Sequence, residues 1–414
     1  MTLAQRPDLE VADVFRGEGV SGWTSGLSSQ QRRVARSIES CRTAALGGHV
    51  SACDRCDHRT ICYNSCRNRH CPKCQARARA DWLKQRSAEL LPIPYFHLVF
   101  TLPREIAELA LQNKRLLYGL LFQAASETLR EVAANPRHLG AHQLGVLAVL
   151  HTWGQNLMHH PHLHCVVSGG GLSADGQRWI AAKPHYFLPV RVLSRVFRNR
   201  YRRLLEQAYQ RGDVEFHGRL RGLAERAAFR RWLAAAAGRE WVVYAKRPFG
   251  GPEVVLKYLA RYTHRVAIAN SRLVKYQNSQ VTFRYKDYAH GGFGRSMTLA
   301  AEEFLRRFLM HVLPEGFMRI RHYGYLANRR RREKLAQCRR LLGVSAITTV
   351  PPIDATAADA AAAPPTTAPS APAARCPVCA EGRLQLVEHW EPARMIADRP
   401  PAKQLAHRPR EDTS

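Results

Sequence analysis

The stretch His160-Pro161-His162-Leu163-His164-Cys165-Val166-Val167 alternates two imidazoles around one leucine inside a β-type run. In a strand, residues i and i+2 share a face. His162 and His164 therefore point together at one object while Leu163 turns to the core. Two parallel imidazoles are most of a metal site. An apolar run, Leu144 to Leu150, and the segment His151-Thr152-Trp153-Gly154-Gln155 come before it, and Gly169-Gly170-Gly171 closes it. His-x-His alone is a weak signal: among 19 histidines about one such pair arises by chance. Without further company, two ordinary core or surface histidines would be the reading.

The company begins with charge. Lys and Arg total 63 against 33 Asp and Glu, a net charge of +30 and a pI near 10.4. That excess is too large for an ordinary metabolic enzyme and argues for a polyanionic partner, of which nucleic acid is the commonest. The alternative is a merely basic soluble protein or a ribosome-associated one. With 414 residues and 45% hydrophobic side chains, roughly two or three packed domains are expected. No apolar run approaches the length of a membrane span. A cytoplasmic protein in contact with DNA or RNA is the expectation.

Six of the 11 cysteines lie between residues 53 and 74. Cys53-x-x-Cys56 and Cys71-x-x-Cys74 are separated by 14 residues. Two such knuckles place four thiolates within tetrahedral reach of one zinc. About 0.3 CxxC pairs would arise by chance, and the chain has three. No secretory signal opens the chain, so zinc-bound thiolates are expected rather than disulfides. Cys62, Cys66, His49 and His70 are spare donors, and a set using Cys66 and His70 stays open. Arg55, Arg59, Arg67, Arg69 and Lys73 give the knuckles a basic rim suited to phosphates.

Along the chain, residues 1–45 read as a lead-in arm, a polar opening followed by a helix-like stretch that Ser28 or Ser29 could cap, with Val34, Ile38 and Cys41 at helical spacing. Tyr95 to Leu102 is an apolar strand with His97 at its middle; such a histidine is usually a core residue, but a neighbouring strand could bring it to His162 and His164 as a third ligand. Residues 104–134, 190–211 and 219–237 read as helices, the last two loaded with Arg. Pro252 opens another helix, in which Tyr258 and Tyr262 are spaced i, i+4 and leave the same face. Residues 265–288 alternate as a β-hairpin turning near Asn278-Ser279. Residues 319–340 are the densest basic block; Arg319, Arg321, Arg329, Arg330, Arg331 and Arg332, interleaved with Tyr323 and Tyr325, suit single-stranded nucleic acid, where a base stacks while its phosphate is paired. The alternative for that block is a solvated helix face. Residues 350–374 are an Ala, Pro and Thr linker. Cys376-x-x-Cys379 then supplies half a knuckle, to be completed by His389 or a distant thiol, or else a spare pair.

Phosphodiester cleavage by a hydroxyl needs a cation to neutralise the transition state, a nucleophile in line with the leaving oxygen and a surface that holds the strand. Paired imidazoles, a tyrosine helix and the Arg excess offer these in turn. A phenol of pKa near 10 is a poor nucleophile unaided, but a phosphotyrosyl link conserves the bond for rejoining.

His162-Leu163-His164, preceded by HTWGQNLMHHP, resembles the HUH motif (histidine, hydrophobic, histidine) of the single-strand endonuclease superfamily. NSCRNRHCPKCQ at 64–75 resembles the N-terminal zinc-binding domain of rolling-circle transposases of the insertion-sequence 91 family, and YLARY, with Tyr258 and Tyr262, matches their paired-tyrosine motif. The resemblance spans roughly residues 35–345. It implies an α+β fold, an antiparallel sheet with flanking helices, preceded by a small zinc-binding module. The expected division is an arm at 1–45, the zinc-binding domain at 46–92, the catalytic domain at 93–345, the linker at 346–375 and a tail at 376–414.

The implied activity is DNA transposition: a tyrosine nicks single-stranded DNA at an element end, joins its 5′ phosphate and leaves a 3′ hydroxyl, and the second tyrosine serves the second cleavage or the transfer. Structural Zn2+ is implied at the cysteines and Mg2+ or Mn2+ at the histidines. His97, His151 and Gln155 are candidates for the third ligand, His97 slightly favoured. No NTP-binding loop is evident, so a host helicase would supply the strand. Two other readings compete: a non-catalytic zinc-dependent nucleic-acid-binding regulator, and a transposase with carboxylate metal ligands.

Overall fold

The computed structural model describes residues 9–17, 26–75, 79–80, 82–83, 86, 89–183, 185–246, 254–255, 266–344 and 374–392. In chain order it runs α1 (Val11–Arg16), α2 (Ser29–Glu39), β1 (Gly48–Cys53), β2 (Arg59–Tyr63), β3 (Tyr95–Thr101), α3 (Arg104–Gln112), α4 (Lys114–Ala134), β4 (Gln143–Trp153), β5 (His159–Leu172) and β6 (Trp179–Ala181). It continues through α5 (Val190–Gln210), α6 (Arg226–Ala237), β7 (Val243–Lys246), β8 (Leu273–Gln277), β9 (Gln280–Asp287), β10 (Phe293–Ala300), α7 (Ala301–Leu309), β11 (Ile320–Gly324), α8 (Arg331–Leu341) and β12 (Leu384–Trp390).

The chain divides into two compact units, residues 1–39 with 67–363 and residues 40–66 with 364–414. These cut the sequence elsewhere than the expected boundaries. The tail is not separate, because β12 pairs antiparallel with β1, from Gly48 opposite Trp390 to Cys53 opposite Leu384. Nor are the first residues a loose arm. In α1, Val11, Val14 and Phe15 are buried, Phe15 meets Phe308 of α7 at 6.0 Å, and Glu10 pairs with Lys73 at 2.8 Å with both side chains almost covered. Lys73 is thus an internal partner, not part of a basic rim.

The larger unit is built on an antiparallel sheet in the order β11-β4-β5-β3-β7, with β6 added to β5. Strand alternation sorts its side chains into two cores. Phe96, Leu98 and Phe100 of β3, Val146, Ala148 and Leu150 of β4, and Leu163, Cys165 and Val167 of β5 join the apolar faces of α3, α4, α5 and α6. The odd-numbered residues of β3 and β4 and the even-numbered ones of β5 face the other way: Tyr95, Leu147, Val149 and Val166 form a smaller cluster with Tyr325, Leu335 and Cys338. Residues 104–134 are two helices rather than one. The Asn113 side chain donates to Leu109 O and Glu215 O at 3.2 and 2.8 Å, which serves the chain break and docks the segment after α5.

β8, β9 and β10 form a second antiparallel sheet in the same unit. Asn278 and Ser279 both adopt positive φ (50° and 54°), the backbone that a two-residue hairpin turn requires, at the expected place. Phe283 packs on Phe304 of α7 at 5.8 Å. The smaller unit is the three-stranded sheet β12-β1-β2.

Candidate functional site

The β4–β5 hairpin assembles the histidines. Its register sets His151 directly opposite His162 and Val149 opposite His164. The loop between the strands is closed by Gly154 N–H donating to Met158 O at 2.8 Å. By strand alternation, His151, His162 and His164 all lie on the sheet face turned away from α4 and α5. Their ring centroids are 4.5 Å (151–164), 4.9 Å (162–164) and 5.5 Å (151–162) apart. One ring nitrogen from each falls within 4.8 Å of the others. His151 and His164 are buried and His162 is half-buried, so one side of the cluster meets solvent. Three imidazoles so placed are a donor set for a divalent transition-type cation with open positions.

His97, the favoured third ligand in the sequence, is not among the three histidines of this group and stands next to them. Paired with Val166 on the neighbouring strand, it reaches the cluster from the side, on the same face of the sheet. Its Nε2 lies 2.9 Å from His164 Nδ1, and the rings stack at 5.1 Å. Burial, with the field of Lys246, holds its pKa down to about 4. A neutral His97 can accept from His164 Nδ1–H, the arrangement that directs the other nitrogen of a ligating histidine toward a metal. In the same way His162 Nδ1–H donates to His160 O at 2.6 Å. His151 was legible only as one of several candidates. The signal that could have singled it out is the hairpin, since counting back across the Gly154 turn brings it opposite His162.

A second layer of histidines braces the hairpin loop. His311, on the segment after α7, bonds Thr152 Oγ1 at 3.1 Å and Leu157 O at 2.9 Å. His159 bonds the buried Tyr118 hydroxyl at 2.7 Å. Burial holds both imidazoles down to about 3, so they serve as neutral hydrogen-bonding groups.

Tyr258 and Tyr262 lie outside the described residues. Val254 and Val255, just before them, are helical, and Val255 is fully buried in the cluster that covers the histidine-bearing face of the sheet.

The basic block divides unevenly. Arg319 is half-buried and donates to Gln75 Oε1 at 3.3 Å, and desolvation beside Arg69 lowers its pKa to about 10. Arg331 is largely covered and paired with Glu89 at 3.0 Å. Neither has the exposure expected of a strand-binding cation. Arg321 lies over the Phe122 ring at 4.2 Å, beside an open groove of about 640 Å³ lined by Arg115, Leu116, Gln123 and Tyr323. Arg330 is exposed but pairs with Glu333 at 2.8 Å, whereas Arg329 and Arg332 project into solvent. Further exposed cations stand elsewhere in this unit. Lys275 of β8 and Arg284 and Lys286 of β9 share the outer face of the small sheet with the Thr282–Thr298 hydroxyl pair (2.8 Å), and Tyr288 and Phe293 at its tip are each 70% exposed. Arg272 ties this sheet to the histidine loop by donating to Gln155 O at 2.5 Å.

The cysteines regroup. Cys53 and Cys56 are gathered with Cys376 and Cys379, not with Cys71 and Cys74 as the spacing suggested. Cys71 and Cys74 sit in one turn of the larger unit, Cys74 N–H donating to Cys71 O at 3.2 Å. Cys66 is in the smaller unit, its N–H 3.5 Å from Cys41 Sγ. His70 is in the larger unit, is kept at about 3 by burial, and does not enter any metal-binding group found among the described residues.

Comparison with known proteins gives the family. Residues 145–334 match a family model described as "Putative transposase", and residues 16–102 match one described as "Transposase zinc-binding domain". The chain is 63% identical over 338 residues to "Putative transposase y4qJ" of Sinorhizobium fredii, covering 81% of this chain and 85% of that protein. It is 30% identical over 311 residues to the transposase for insertion sequence element IS801 of Pseudomonas savastanoi pv. phaseolicola, covering 73% and 72%. No solved structure gives a significant match. With the zinc-binding and transposase models matched in that order and a transposase so similar along most of its length, the chain belongs to the insertion-sequence 91 family of transposases.

Proposed function

We propose that this transposase cuts and transfers single-stranded DNA at element ends through a covalent 5′-phosphotyrosine, with Tyr258 and Tyr262 as nucleophiles and a divalent cation held by His151, His162 and His164. The observation that carries the reading is the imidazole triad on the β4–β5 hairpin. Mg2+ or Mn2+ there would polarise the scissile phosphate and neutralise charge in the transition state. Three nitrogen donors favour Mn2+ over Mg2+, since imidazole is the softer ligand.

The chain's own groups do the rest. His97 orients His164 from the side. The His160 carbonyl orients His162. The half-exposed edge of the triad leaves room for a phosphate. Val255, three residues before Tyr258, is buried on this face of the sheet. Attack by a tyrosine oxygen on the phosphorus forms the phosphotyrosyl ester and expels the 3′ oxygen, which leaves as the free hydroxyl. Exposed cations hold the strand, and a host helicase supplies it single-stranded.

The test is a denaturing gel. The protein is incubated with single-stranded element-end DNA and Mn2+ or Mg2+, and a covalent protein–DNA band is scored. Wild type should give the band; His151→Ala, His162→Ala and the Tyr258→Phe/Tyr262→Phe double variant should not. Specific DNA binding without any adduct would instead describe a regulator, and an adduct that survives the double tyrosine substitution would place the nucleophile elsewhere.

A further inference from the structure

The third CxxC pair, in the segment that follows the Ala/Pro-rich linker, lies far outside the matched zinc-binding region at 16–102. In the smaller unit it meets the first pair. Cys53 Sγ is 3.7 Å from Cys379 Sγ, and Cys56 Sγ is 3.8 Å from Cys376 Sγ. All four sulfurs lie within 4.8 Å of one another. A tetrahedron with Zn–S bonds of about 2.3 Å has an S···S edge of about 3.8 Å, whereas a disulfide would bring two sulfurs to about 2.05 Å. The spacing fits four thiolates around one metal.

The surroundings fit as well. Arg55 N–H and Val378 N–H each point at the first sulfur of their own knuckle at 3.4 Å, and Gly382 N–H reaches Cys379 Sγ at 3.3 Å. Such backbone donors stabilise thiolate charge around a metal. A Cβ on Gly382 would stand 2.3 Å from Cys53 Sγ, so only glycine admits the approach. The two knuckles are locked together by Arg383 N–H donating to Asp54 Oδ1 at 2.8 Å and by β12 lying along β1.

The unit has little apolar core among its described residues. Among its described residues the only buried hydrophobic side chains are Cys41 and Cys376, while Ile61 is 57% exposed and Leu386 65%. A three-stranded sheet without an apolar core is the kind of fold that a structural metal stabilises.

We propose that Cys53, Cys56, Cys376 and Cys379 bind one zinc ion, so that the zinc module is split in sequence and its second half is the segment after the linker. Binding displaces the four thiol protons and leaves a tetrathiolate site. The ion then fastens residues 376–390 to residues 48–63. Zinc binding at these thiolates is independent of the DNA chemistry.

Zinc content of the purified full chain tests it. Cys376→Ser/Cys379→Ser and Cys53→Ser/Cys56→Ser should each lower bound zinc by one equivalent, and the quadruple variant should lower it by the same single equivalent, because the four residues share one ion. Co2+ substitution should give thiolate charge-transfer and intense tetrahedral d–d bands that diminish in each variant. Gly382→Val should speed zinc loss to a chelator without removing a ligand, which keeps the test readable if a cysteine variant folds poorly. If Cys376→Ser/Cys379→Ser retains the wild-type zinc content, or if the two pairs lose separate equivalents, the split site is wrong.

Discussion

At the residue scale the site turns on which nitrogen of which histidine is committed. His164 is held by His97 at 2.9 Å and His162 by the His160 carbonyl at 2.6 Å. His151 stands opposite His162 on the partner strand. The difference between a ligand and its supporter should be measurable. His151→Ala should abolish Mn2+ binding in a titration followed by electron paramagnetic resonance. His97→Ala should weaken it by about 10–100-fold, the usual cost of losing an outer hydrogen-bond partner, with adduct formation restored at saturating Mn2+. Equal losses for the two variants would put His97 and His151 in the same role. The partly covered arginines behave in a related way. Arg319 and Arg331 are indistinguishable from Arg329 and Arg332 in sequence, because a guanidinium's role depends on whether a carboxylate or carbonyl meets it, and that is set by distant chain.

At the scale of elements, the β8–β10 sheet presents alternate cations on its outer face and aromatic rings at its tip. That pairing suits a strand whose phosphates meet Lys275, Arg284 and Lys286 while bases stack on Tyr288 and Phe293. Replacing the three cations by alanine should flatten the logarithmic salt slope of single-strand binding by about 0.7 for each phosphate left unpaired. Replacing Tyr288 and Phe293 should cost about 1–3 kcal/mol for each stacked base, with little change in duplex affinity. Anisotropy titrations at several salt concentrations read both. These side chains are exposed, so melting temperatures should hold. Unchanged single-strand affinity in both variants would assign strand binding to another surface, such as Arg329 and Arg332.

At the scale of the whole molecule, several histidines are buried in the neutral form. His159, His311 and His322 are each held to about 3, chiefly by desolvation. In the unfolded chain such groups protonate near pH 6.5. The folded state therefore binds fewer protons between these values, and stability falls as pH drops below 6.5. The slope is about 1.4 kcal/mol per pH unit for each histidine fully engaged. Above pH 6.5 the penalty is absent. Melting temperature measured from pH 7.5 to 4.5 should fall steeply below about pH 6, and His311→Gln should shallow that fall. A flat profile would mean that these imidazoles gain protons without unfolding the protein. Among the described residues no helix is long and apolar enough to cross a membrane.

The sequence by itself determined what is local. The His162–His164 alternation, the positive-φ turn at Asn278-Ser279, the three CxxC knuckles and the strand and helix periodicities depend on neighbours a few residues apart, where backbone geometry fixes which side chains share a face. The resemblance carried by the histidine, cysteine and tyrosine motifs implied the α+β class, the antiparallel sheet and the transposase family. Only the tertiary structure decided which distant groups meet. The third histidine came from across a hairpin, and His97 took the place beside the group. Cys53 and Cys56 found their partners some 320 residues away because β12 closes on β1. Strand pairing couples residues regardless of their separation along the chain, and spacing in sequence carries no record of it.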